Sequence, residues 1–189
     1  MAWHHIIPFT VLCEVWNRLV DQLIKTQLPE ARTAIRQYLL LCGAKQSSLE
    51  ALIDRIRAEN TDQKRAGHHH LPPLDGGEAL QLQTDAVWPP WNAVEGPRGE
   101  IRTDDPANRY LDRFTGGLTP QEAIRMRAIE SLFAQLQVFL GAGPAPGAGS
   151  LRALAQAAST ARPYLGQAPP IPYRDEMWVK DGAGWRKSR

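Results

Sequence analysis

Apolar residues return at helical spacing through most of the first third of the chain. Leu12, Val15, Trp16, Leu19, Val20, Leu23 and Ile24 mark one face of a segment from Thr10 to about Gln27, with Thr10 as its expected N-cap. A second helix is predicted to open at Pro29-Glu30, to bury Ala34, Ile35, Tyr38, Leu39 and Cys42, and to stop at Gly43. Ser47 and Glu50 have capping-box spacing ahead of a third helix, whose face of Leu49, Leu52, Ile53 and Ile56 runs out at Glu59-Asn60-Thr61-Asp62. Between residues 65 and 118, glycines and prolines interrupt any long period, which predicts loops and short strands. Regularity resumes at Thr119-Pro120-Gln121-Glu122, where an N-cap, an N1 proline and a capping-box glutamate precede Ile124, Ala128, Ile129, Leu132, Phe133 and Leu136. Gly141 to Gly149 reads as a Gly/Ala/Pro linker, Leu151 to about Arg162 as a shorter helix, and the rest as a Pro-rich, slightly basic tail.

This pattern is that of an α+β chain, mostly helical. Its 189 residues suffice for one well-buried domain, expected over 1–140, with 141–149 as linker and 150–189 as helix and tail. A hydrophobic fraction of 43% and a charged fraction of 22% exclude a chain too polar to fold. No apolar run approaches the roughly 20 residues that span a bilayer, and Met1 is followed by Trp3 and two histidines instead of a basic then apolar leader. Cys13 and Cys42 lie in apolar helical surroundings and read as buried thiols. The net charge of +2 permits a polyanionic partner without requiring one.

Candidate chemistry begins at Trp3-His4-His5-Ile6-Ile7-Pro8. In a strand, neighbouring side chains point to opposite sides, whereas a turn enforced by Pro8 would let both histidines reach one centre. A phosphodiester-cleaving site with one metal needs a ligand that holds the cation against the phosphate and a base that deprotonates water, and a His-His pair supplies both. The pair alone is equally compatible with surface histidines near a terminus.

The segment resembles the HNH, or ββα-metal, nucleases, and within them the bacterial polymorphic-toxin domains that carry a His-His-Ile-Ile-Pro run. Trp91-Asn92-Ala93-Val94-Glu95-Gly96-Pro97 followed by Arg102-Thr103-Asp104-Asp105-Pro106 is similar to the asparagine-bearing half of that motif. The resemblance implies His4 as metal ligand, His5 as general base and Asn92 as the residue that orients the base. It implies a small two-stranded metal-bearing hairpin, one strand ending near His4 and the other near Val94, with residues 10–60 as a helical insertion between the halves. No histidine follows His70, so the closing ligand of the family is missing or replaced. Asp104 and Asp105 are the natural substitutes, their oxygens suiting Mg2+ or Mn2+ with Zn2+ or Ni2+ as alternatives, while a turn or N-cap before Pro106 accounts for one of the two equally well.

The same resemblance implies a DNA endonuclease of low sequence specificity. It further implies an antibacterial toxin, held in the producer's cytoplasm, delivered by a secretion system as part of a larger effector and neutralised by a cognate immunity protein. That almost nothing precedes His4 accords with a domain cut from a longer polypeptide. Arg98, Arg102 and Arg109, with Arg113 beyond them, are candidate clamps for phosphate, although the interleaved Glu100, Asp104, Asp105 and Asp112 explain the cluster equally well as surface ion pairs. His68-His69-His70 reads as a solvated loop, with loose metal binding as its alternative. Trp88 and Trp91 either stack on bases or pack a loop onto the core. Two rival functions stay open: an RNase on the same fold, and a non-enzymatic helical interaction or nucleoprotein-assembly subunit with incidental histidines.

Overall fold

The computed structural model describes residues 1–26, 28–61, 84–104 and 110–188. Along the chain run β1 (Ala2–His5), α1 (Phe9–Lys25), α2 (Pro29–Leu41), α3 (Leu49–Thr61), β2 (Ala93–Gly96), α4 (Pro120–Gly141), α5 (Ala148–Leu165), β3 (Trp178–Asp181) and β4 (Gly184–Lys187). The fold is therefore α+β and mostly helical. Among the described residues, no helix is long and apolar enough to cross a membrane.

Each helix buries the face its periodicity announces. Val11, Leu12, Val15, Trp16, Leu19, Val20 and Leu23 of α1 enter the core, as do Leu49, Leu52, Ile53 and Ile56 of α3. Helix α2 packs along α5, where Ala31 and Ala34 on one side and Ala155, Ala158 and Ala161 on the other are buried. Small side chains on both faces let the two axes approach closely. The α4 capping box forms in full, with Thr119 accepting from the Glu122 N–H and Glu122 reaching back to the Thr119 N–H.

Other local expectations give way to tertiary structure. Pro8, not Thr10, occupies the N-cap of α1 and makes no side-chain cap. Glu50 is taken up by Arg32 and Arg36 of α2, so an ion pair between helices replaces the expected capping box. Residues 141–149 do not separate two bodies. Arg18 of α1 donates to the Leu140 carbonyl at 2.5 Å and the Gly143 carbonyl at 2.7 Å, tying that connection to the first helix. A single hydrophobic cluster includes residues on both sides of it, from Ile6 to Trp178. Cys13 and Cys42 are buried free thiols, and desolvation pushes Cys13 up to about 11 and Cys42 higher still.

The C-terminal residues fold back instead of trailing away. Ile171 bridges Val94 in parallel, donating to the Ala93 carbonyl at 2.8 Å and accepting from the Glu95 N–H at 2.9 Å. It thereby adds a single-residue parallel bridge beside β2. Strands β3 and β4 form an antiparallel hairpin across Gly182, whose φ of 60° suits a residue without a Cβ. Trp178 and Met177 enter the core from this hairpin.

Candidate functional site

The two motif halves meet in one small sheet. β1 and β2 pair antiparallel, with Trp3 opposite Glu95, His4 opposite Val94 and His5 opposite Ala93. Helices α1 to α3 lie between them in sequence, as the helical insertion requires.

Asn92, immediately before β2, is 2% exposed and grips the chain that follows His5. Its Oδ1 accepts from the Ile7 N–H at 2.6 Å, and its Nδ2 donates to the Ile7 carbonyl at 2.8 Å. The Asn92 carbonyl accepts from the Ile6 N–H at 2.9 Å, and the Ile6 carbonyl accepts from the Asp112 N–H at 2.8 Å. All four backbone polar groups of Ile6 and Ile7 are thus satisfied in a buried place, where an unpaired one would be costly. Three further contacts hold the chain that leads into Asn92. Tyr38 of α2 donates to the Ala86 carbonyl at 2.7 Å, Trp91 donates its indole N–H to the Leu41 carbonyl at 3.2 Å, and Arg125 of α4 donates to the Trp91 carbonyl at 2.5 Å. Arg125 also binds the Pro169 carbonyl ahead of Ile171, and burial lowers its pKa to about 10.

No turn brings the histidines to one centre. Both belong to β1, where strand alternation sends them to opposite faces, and Pro8 comes too late to change this. His5 lies against Trp88, ring centroids 3.8 Å apart and nearly perpendicular, with Phe9 at 5.7 Å. Neither of its ring nitrogens has a hydrogen-bond partner among the described residues. Desolvation by burial, and secondarily the charge of His4, lower its pKa from 6.5 to about 4. The imidazole is neutral at pH 7.

His4 faces the other way, into a charged cluster roofed by the C-terminal hairpin. One ring nitrogen, Nε2, sits on the Pro97 carbonyl; the other, Nδ1, is 3.4 Å from Arg102 Nη1. Trp178 stacks beside both, its ring 5.6 Å from the His4 ring and 5.0 Å from the Arg102 guanidinium carbon. Arg102 is buried and bonds Asp112 Oδ2 at 2.9 Å and Asp104 Oδ1 at 3.2 Å. Asp112, 1% exposed, also binds the Lys187 ammonium, while the Lys187 N–H donates to Asp104 Oδ2 at 2.7 Å.

This arrangement decides how the expected residues stand. Arg102 is committed to two aspartates inside the fold, whereas Arg98 is exposed in the loop after β2. Among the described residues, Arg102 stands between Asp104 and His4. Asp105, Arg109 and His68-His69-His70 lie outside the described residues. A divalent cation on His4 would need a ring nitrogen and carboxylate oxygens, yet the His4 nitrogens face Pro97 and Arg102, and both carboxylates already hold Arg102 and Lys187. Positive charge occupies the place such an ion would take, so the described donors His4, Asp104 and Asp112 do not by themselves fit a metal centre, and Asp105 lies outside the described residues. Among the described residues, no three His, Cys, Asp or Glu side chains gather elsewhere.

Trp178, Lys187 and Arg125 are the residues that sequence reasoning misses, and Asp112, expected in a surface ion pair, is buried with Arg102. For Trp178 and Lys187 a local signal exists, because Asp181-Gly182 between two short runs has the character of a hairpin turn. Comparisons of the chain with protein-family models, with curated proteins and with solved structures find no match.

Proposed function

We propose that this chain is a nuclease of the HNH kind, hydrolysing phosphodiester bonds with His5 as general base. The observation that carries the reading is the two-point grip of Asn92 on Ile7, which ties an asparagine at the head of one strand to the turn after a histidine on its partner. That is the relation the resemblance implies between an orienting asparagine and its base. The neutral state of His5 supports the same role, although both unpartnered ring nitrogens are buried against Trp88, so the ring must be uncovered before its lone pair reaches water.

A base with a pKa of about 4 is weak at neutral pH. A phosphodiester arriving on this face brings a negative charge that favours the imidazolium and lifts the pKa toward the working range. His5 then takes a proton from water, the hydroxide oxygen bonds phosphorus, and the bond to the leaving sugar oxygen breaks, that oxygen being protonated by solvent. Arg98 supplies an exposed cation for the backbone, and contacts of this kind carry little sequence information. DNA as substrate, an antibacterial effector role, secretion into a target cell and a cognate immunity protein belong to the same proposal. No step here runs through a metal, because the described donors around His4 do not by themselves fit one.

The test is nicking of supercoiled plasmid with Mg2+, Mn2+, Ni2+ or Zn2+ and with chelator, comparing the parent with His5→Ala. The expected loss is about 10²- to 10⁴-fold, the usual contribution of general base catalysis. Equal rates would remove His5 from the reaction. The pH profile adds a second readout: the acid limb of kcat/KM, which reports the free enzyme, should fall near pH 4, and that of kcat at higher pH.

A further inference from the structure

Strand alternation places Trp3 on the same face of β1 as His5, away from His4. Trp3 is 55% exposed and Trp88, which leans on the His5 ring, is 48% exposed, whereas Trp16, Trp91 and Trp178 are buried. An indole is a large, flat apolar surface that folding ordinarily covers. Here two are left half bare around one histidine whose ring nitrogens have no partner among the described residues. Phe9 backs Trp88 at 5.3 Å and holds it against free rotation.

We propose that Trp3 and Trp88 form a stacking platform for unpaired nucleobases, so that the His5 site takes single-stranded nucleic acid. The proposal rests on the nuclease reading and names its substrate class. Trp3 and His5, two apart on the strand, are separated by about 7 Å, which sets the Trp3 indole beside the ring that Trp88 leans on. Stacking tolerates any sequence, because every base has a π face, and a duplex hides those faces unless it is unstacked. Phosphates of the same strand find a cation at the Trp3 end of the hairpin, where Ala2 pairs with Gly96 and exposed Arg98 follows two residues on. Glu95, opposite Trp3, turns a carboxylate oxygen to the Tyr173 N–H at 3.3 Å.

The experiment is fluorescence anisotropy of a labelled oligothymidylate, free or annealed to its complement, titrated with the His5→Ala protein so that cleavage does not interfere. The single strand should bind more tightly than the duplex. Trp3→Ala and Trp88→Ala should each weaken it about tenfold, with Trp3→Phe restoring most of the loss. Trp3 is the cleaner variant, since its side chain is the more exposed and its removal should leave the thermal midpoint in place. Duplex binding as tight as single-strand binding, or Ala variants that bind like the parent, would overturn the platform. If the parent still nicks duplex plasmid in a His5-dependent way, the nuclease reading survives that result. If neither strand form is bound or cut, both fall together.

Discussion

Asp112 shows how one carboxylate can hold a site together from beneath. It is all but excluded from water, binds Arg102 and Lys187 with its side chain, and pins the Ile6 carbonyl with its backbone. The buried Arg102 and the half-buried Lys187 would be left poorly compensated if it were removed, and breaking a buried pair such as Arg102–Asp112 costs about 3–5 kcal/mol. Asp112→Ala should therefore lower stability by that order in urea unfolding. A loss below about 1 kcal/mol would mean that Arg102 and Lys187 reach water easily, as surface pairs do. Nothing in the local sequence separates Asp112 from Asp104 or Glu100, because what distinguishes it is its burial against Ile6 and Lys187, which lie far away in the chain. His4 and Asn92 are different. Their residue types and spacing mark them out, yet only the strand pairing shows that Asn92 holds the turn after His5 and that His4 points elsewhere.

At the level of elements, the helices are legible where a face must be buried and less so where a cap competes with a tertiary partner. Thr119 and Glu122 cap α4 because no distant group displaces that exchange, although Arg174 adds an ion pair to Glu122 from outside. Glu50 is drawn instead to Arg32 and Arg36. The β1–β2 sheet follows the same logic in reverse, since four-residue strands carry little intrinsic pattern and depend on what packs against them. Gly96 makes that dependence testable. A Cβ built there would run into the Trp178 indole, which stacks on His4 and Arg102. Gly96→Ala should force Trp178 aside and cost about 1–3 kcal/mol, as overpacking does. Combining it with Trp178→Leu should cost less than the sum of the two changes, because the second removes the ring that the first strikes. Additive losses in urea midpoints would show that the two residues do not meet.

Across the described residues, the helical block and the two small sheets share one hydrophobic cluster, and the C-terminal residues are where that unity is most easily mistaken. Prolines and glycines make residues 163–189 resemble a loose tail, because the pattern of a single bridging residue and a hairpin of two four-residue strands is too short to register as periodicity. In the structure Ile171, Met177 and Trp178 are buried, and Lys187 reaches Asp112 beneath them. Burying each large apolar side chain is worth about 1.5–3 kcal/mol, so losing three of them removes an amount comparable with the whole stability of many domains. A chain ended at Gly166 should consequently unfold at much lower urea than the full chain, and the Glu95 amide, which donates to the Ile171 carbonyl, should lose its protection from hydrogen exchange. Because α2, α4 and α5 keep their mutual packing in such a chain, helical signal is expected to persist while the β1–β2 sheet opens. An unchanged urea midpoint together with an unchanged Glu95 exchange rate would show that the last residues merely decorate a site complete without them.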